Sequence, residues 1–163
     1  MSDAISVEVQ FATAETGIPD RKKIAGSVRH ALRFARPDEH AAIEIVVRIV
    51  DEAESRSLNS RFRNIDKATN VLAFPSQEPS LPGLHRDAGD FSLGDLVICA
   101  PLVSREAAEQ GKRTDDHWAH LLVHGTLHLL GYDHVDELDA QEMEALEVSI
   151  LAARGIGDPY RAR

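Results

Sequence analysis

Three histidines spaced i, i+4 and i+10, His124, His128 and His134, with Gly131 three residues after the second, restrict this chain more than any other feature. On a helix, side chains four apart lie on one face with Cβ atoms roughly 5–6 Å apart. Two imidazoles so placed can converge on one ion whose metal–nitrogen bonds are about 2.0–2.1 Å. Gly131 can adopt the left-handed conformation that ends a helix, which turns the chain back and carries His134 to the same point. Three neutral nitrogen ligands and an open fourth position describe a catalytic metal site better than a structural one.

A stripe of histidines can also be an ordinary polar helix face, and His117, His120, His124 and His128 all share one. Two features argue against that. Leu121, Leu122, Val123, Leu127, Leu129 and Leu130 make this the most apolar helix of the chain. Burying so many imidazoles without partners is costly. Spacing leaves a second pair open, because His120 and His124 are also four apart. The set His124, His128 and His134 is favoured because only it uses the Gly131 turn. His117 and His120 are then substrate-facing or ligand-supporting candidates, with packing an equal alternative.

At 163 residues the chain is expected to form one domain, residues 1–163, with a real hydrophobic core. Hydrophobic residues at 43% and charged residues at 28% fit a globular protein, and no apolar run approaches the ~20 residues that span a bilayer. The start, Met1-Ser2-Asp3-Ala4, lacks a basic region followed by an apolar stretch, so no signal peptide is expected. Cys99, the single cysteine, lies in an apolar stretch and reads as an inert core thiol in a reducing cytoplasm. A net charge of −9 speaks against a generic nucleic-acid binder. That average hides a basic line, Lys22, Arg29, Arg33 and Arg36, on one face of a helix whose opposite line is Ile24, Val28 and Leu32. By default such a line is a solvated face, although it could attract phosphate.

Periodicity places strands over about Ile5–Phe11, Ala42–Val50, Thr69–Phe74 and Asp95–Ala100. Helices are expected over the basic segment near Arg21–Arg36, then about Asp51–Phe62, Pro101–Gln110, Thr114–Leu130 and Leu138–Arg154. Thr114 is expected as an N-cap, with Asp115 and Asp116 suited to the positive helix start. Residues 75–93 form a long connection rich in proline and glycine, a flap over the site or a disordered tip. The fold class is α+β: a small mixed four-stranded sheet packed with about five helices, the metal site at the end of a central helix.

The histidine spacing is also that of zinc peptidases in which a glutamate follows the first histidine and serves as general base. Here that position is Gly125, which cannot accept a proton, so peptide hydrolysis becomes a distant second. The stretch from His117 to His134 instead resembles the signature of the YbeY-type rRNA maturation factors, bacterial metal-dependent endoribonucleases. Leu58-Asn59, Phe62-Arg63, Asp66 and Thr69 to Pro75 resemble a second block of that family, and Leu93 to Cys99 a third. The matches cover about Leu58 to His134; the first forty residues and the last helix add little to them.

That resemblance implies one zinc ion held by His124, His128 and His134, and hydrolysis of single-stranded RNA in maturation of small-subunit rRNA ends and ribosome quality control. It also implies that Arg63 is the arginine of the active-site groove, where a rigid fork of donors would oppose phosphoryl charge. Otherwise Arg63 reads as a surface salt bridge, perhaps to Asp66. Asp95 and Asn70 are candidates for substrate binding or for orienting a ligand histidine, with structural roles, a loop cap for Asp95 and the turn into the strand for Asn70, at least equal alternatives. Asn59, Asp66, Thr69 and Asp133 are as well explained by structural roles. The expected partners are an rRNA precursor and a ribosomal or assembly-factor protein, with no membrane. The alternatives are a zinc peptidase or other metallohydrolase, and a non-catalytic assembly factor with structural zinc.

Overall fold

The protein is described by a computed structural model over residues 5–38, 42–76, 92–132 and 136–161. Four strands and five helices follow in the order β1 (Ile5–Ala12), α1 (Arg21–Ala35), β2 (Ile43–Val50), α2 (Glu52–Arg63), β3 (Val71–Pro75), β4 (Ser92–Cys99), α3 (Ala100–Gln110), α4 (Thr114–Leu129) and α5 (Glu137–Ala152) among the described residues. The sheet order is β1-β2-β4-β3. β1 and β4 both run parallel to β2, while β3 runs antiparallel to β4 at the edge. The mixed α+β architecture is therefore the one the hydrophobic periodicity specifies.

Alternation along the strands divides the core between the sheet's two faces. Ile45, Val47 and Ile49 of β2 and Leu96 and Ile98 of β4 face α1 and α4, where Ile24, Val28, Trp118 and Leu122 complete one cluster. Val50, Val97 and Cys99, with Leu72 and Phe74 of β3, face the opposite way onto Leu58 and Phe62 of α2. Burial pushes the Cys99 thiol up, as suits an unreactive core residue. The Ile24, Val28 and Leu32 line of α1 is buried as expected.

α4 is buried almost all round because it lies between the sheet and a further layer. Trp118, Leu121, Leu122 and Leu129 meet the sheet side, and Ala119, Val123 and Leu127 meet Met143, Ile150 and Leu151 of α5. No described helix is long and apolar enough to cross a membrane. α4 ends as its sequence requires. Gly131 has φ +99°, its N–H donates to His128 O at 3.0 Å, and Tyr132 N–H reaches back to Leu127 O at 3.0 Å. This is the glycine-terminated cap that satisfies the last carbonyls of a helix.

Several boundaries differ from the sequence expectation, β3 beginning at Val71 rather than Thr69 and α5 ending at Ala152 rather than Arg154, and two further ones have a clear physical reason. Thr114 is the first helical residue rather than the N-cap; Arg113 takes that position and makes no side-chain cap, so the helix start relies on Asp115 and Asp116. β4 begins at Ser92, three residues earlier than periodicity indicated, because a register shift at Gly94 disguises the alternation. Residues 77–91 of the proposed flap lie outside the described residues.

Gly94 has φ +144°, and a Cβ there would stand 2.4 Å from Phe74 O and 3.0 Å from Pro75 Cα. Gly94→Ala is therefore expected to cost about 3 kcal/mol or more in denaturant unfolding, combining backbone strain with a clash that cannot relax. Gly111→Ala, at φ +65° with nothing within 4 Å, is the control and should cost about 1 kcal/mol. Equal costs would show that strain alone matters at Gly94.

Candidate metal centre and substrate groove

His124 and His128 stand on the last two turns of α4, and their Nε2 atoms face each other at 3.1 Å. Two ligands about 2.0–2.1 Å from one cation and roughly 100° apart about it would be about 3.1 Å from each other. The spacing thus fits a shared divalent ion. What fixes the first imidazole is Glu147 of α5, whose side chain is fully buried. His124 Nδ1–H donates to Glu147 Oε1, and the Tyr160 hydroxyl donates to Oε2. His120 Nε2 lies 3.4 Å from Oε2 and 3.3 Å from the Tyr160 hydroxyl.

Burial alone would raise the Glu147 pKa, but these donors outweigh it and hold the carboxyl at about 2. An ionised carboxylate accepts only, so His124 Nδ1 carries a proton, and in the neutral imidazole the lone pair is then on Nε2, the atom that faces His128. This is the carboxylate–histidine arrangement that orients metal ligands and raises their basicity. Burial, and after it the Glu147 carboxylate, push the Tyr160 phenol up, which keeps it a donor. Burial lowers the His120 pKa against the opposing pull of Glu147.

A second donor set exists. Ligand atoms of His120, His124 and Glu147 lie within 4.8 Å of one another. Its carboxylate oxygens are already occupied by the His124 and Tyr160 donors, whereas the His124–His128 pair opens into a groove. His134 and Asp133 lie outside the described residues.

The groove has a volume of about 710 Å³, and its walls bring Arg63, Asn70, Val71, His124, Gly125 and His128 together. Arg63 ends α2, where Asn64 turns left-handed at φ 61°. Its guanidinium donates to Phe62 O at 3.1 Å and Ala73 O at 2.9 Å and stacks 4.7 Å from the Phe74 ring centroid. Asp66, the salt-bridge partner that sequence suggested, instead takes a two-pronged bond from Arg56 at 2.8 and 3.1 Å. Gly125 is held against the sheet: a Cβ there would meet Leu96 Cδ2 at 2.8 Å and Val71 Cγ2 at 3.3 Å. The glutamate of the peptidase motif would have to displace the Leu96 methyl to sit at this position.

The remaining candidates separate by location. Asp95 is buried in β4. His117 is buried, with Nε2 2.9 Å from Glu106 Oε1. Asn70 also bonds Glu106, at 3.0 and 3.2 Å, and lines the groove. Asn59 donates to Lys67 O at 2.9 Å, and Ser55 brackets Thr69, so both brace the loop onto α2. The basic line on α1 is partly spent on structure: Arg29 reaches Ile5 O at 3.3 Å and Arg36 reaches Leu130 O at 3.4 Å. Sequence reasoning missed Glu147, Tyr160 and Glu106. Glu147 carried a usable signal, since it shares a helical stripe with Met143, Ile150 and Leu151, and a carboxylate on an apolar stripe demands partners.

Fold and site together define an α+β protein with a candidate metal centre, in which a carboxylate-braced histidine pair and an arginine line one groove. Comparison with known proteins is more specific. Residues 8–155 match the family described as Endoribonuclease YbeY. A relative of that name from Halorhodospira halophila is 62% identical over 120 residues, covering 74% of this chain and 76% of its own. Others from Xanthomonas campestris pv. campestris (49% identity, 96% and 93% covered) and Nitrosococcus oceani (45%, 98% and 99%) extend over nearly the full length. The solution structure of TM1509 from Thermotoga maritima shares the fold, with a TM-score of 0.52 and 21% identity over 94% of this chain and 99% of that one. The chain belongs to the Endoribonuclease YbeY family and is an enzyme. The match takes in all of α1 and α5, beyond the motifs that first suggested it, and so includes Glu147.

The two donor sets make opposite predictions. We expect His128→Ala to abolish zinc binding and His120→Ala to retain it, in calorimetric titrations of folded protein. Glu147→Gln should weaken binding about 10–100-fold through the loosened His124 ring. Loss in His120→Ala with retention in His128→Ala would transfer the site to the other set.

Proposed function

We propose that this protein is a zinc-dependent endoribonuclease that cleaves single-stranded rRNA precursor, in maturation of small-subunit rRNA ends and in ribosome quality control in the cytoplasm. In this reading His124, His128 and His134 hold one zinc ion and Arg63 is the catalytic cation. The observation that carries it is the single groove in which Arg63 meets the paired Nε2 atoms of His124 and His128. The relatives, which bear the name endoribonuclease, support the reaction class.

When bound, a divalent cation here supplies Lewis-acid polarisation of a phosphoryl oxygen and a more acidic water. The chain's own residues do the rest. Glu147 holds a proton on His124 Nδ1, which leaves Nε2 as the nitrogen that would bind the ion. Arg63 is clamped by two backbone carbonyls and the Phe74 ring, so it pays little reorganisation to meet a phosphate. Gly125 contributes absence: the helix surface between the two histidines has no carboxylate, and the groove floor stays flat against Val71 and Leu96. That same absence argues against the peptidase alternative.

The net charge of −9 limits counterion-release binding of free RNA. A ribosomal or assembly-factor protein would then present the substrate. Cleavage of labelled rRNA precursor should fall at least about 100-fold in Arg63→Ala while zinc content is unchanged. Unchanged turnover in that variant would falsify the role of Arg63, and equal cleavage by His124→Ala would trace the activity to a contaminant.

A further inference from the structure

One wall of the groove carries an oriented acceptor that the reaction does not use. Asn70 precedes β3, and its Nδ2 donates to both oxygens of Glu106, at 3.0 and 3.2 Å. Glu106 is also bonded by His117 Nε2 at 2.9 Å from the buried face of α4. The His117 bond, outweighing burial, and the Asn70 bond hold the Glu106 carboxyl below its ordinary value. A carboxylate can only accept, so the amide of Asn70 cannot be flipped: nitrogen faces Glu106 and Oδ1 faces away.

Among the described residues Oδ1 has no donor, and it is not one of the buried unpartnered atoms. It therefore opens to the groove that Asn70 lines. Its place there is close to the metal centre. The next residue, Val71, packs against Gly125, which follows His124 in the chain. A phosphate lying between Arg63 and the histidines would bring its neighbouring sugars past this amide.

We propose that Asn70 is a specificity-determining residue whose Oδ1 accepts a hydrogen bond from a ribose 2′-hydroxyl, with Glu106 and His117 as positioning residues that set its orientation. The inference rests on the endoribonuclease reading and deepens it. Arg63 and Lys67, the other long polar side chains on this wall, are cations and suit phosphate. Asn70 adds an acceptor to them. A 2′-hydroxyl is the one donor present on every ribonucleotide whatever its base, and it separates RNA from DNA. Base reading usually employs paired donor and acceptor contacts, and here the amide nitrogen is already taken.

The test uses the full chain with zinc and a set of single-stranded RNA oligonucleotides, each with one 2′-deoxy nucleotide. Affinity at low ionic strength and the cleavage specificity constant are measured for wild type, Asn70→Ala and Glu106→Gln, with thermal melts to confirm folding. One 2′-deoxy position should cost the wild type about 3–10-fold in affinity, the worth of a neutral hydrogen bond. The same position should cost Asn70→Ala less than about 2-fold, with Glu106→Gln between them. Identical discrimination in all three proteins overturns the proposal. So does a wild type indifferent to every 2′-deoxy substitution, or an Asn70→Ala effect that follows base identity instead. A wild type that binds but cleaves nothing would count against the endoribonuclease reading alone, since the affinity ratios still decide the role of Asn70.

Discussion

The Glu147 carboxylate is the interaction on which the site depends. It is fully buried, and His124 and Tyr160 donate to it from two other parts of the chain, with His120 beside them. A buried carboxylate without such donors would be protonated or would leave the core. With them it stays ionised and dictates the tautomer of His124. The cost of burying the charge is met by bonds that also fix the His124 ring. The same contact ties α5 to α4, so the apolar seam of Ala119, Val123, Leu127, Met143 and Ile150 and the polar clamp reinforce each other.

The second constraint is the close approach of α4 to the sheet. Gly125 permits it, with Leu96 and Val71 filling the space a side chain would need. This contact sets the depth of the groove and places the histidine turns of α4 opposite the end of α2. Arg63 then reaches the groove from α2 because Asn64 terminates that helix in a left-handed turn. Ala73, on the edge strand β3, offers the carbonyl that fixes the guanidinium. Arg63 and the histidine pair are thus brought into one groove by two packing decisions, one glycine and one helix end.

Much of this was legible from residues. Strand and helix periods named every element of the fold, because each face of the sheet and each helix stripe buries a regular set of apolar side chains. β4 was misjudged at its start because the bulge at Gly94 interrupts the alternation. The N-cap of α4 was misplaced by one residue, since Thr114 is a good cap by type but its backbone is already helical. His124 and His128 were readable as a pair because i, i+4 spacing is a local property of a helix. His117 and His120 were not separable by spacing, and their partners, Glu106 for one and Glu147 with Tyr160 for the other, are what distinguish them.

The sequence by itself determined the periodic elements, the helical histidine pair, the glycine that caps α4 and the missing carboxylate at position 125. All of these follow from neighbours within a few residues, where geometry is set by the helix or strand alone. Only the tertiary structure decided that Glu147 braces His124 across 23 positions, that Arg63 is clamped by Ala73 and Phe74, and that Glu106 orients Asn70 from 36 positions away. Such pairings carry no period in the chain. They exist because packing of α2 and α3 near β3, and of α5 on α4, brings together polar groups that satisfy one another.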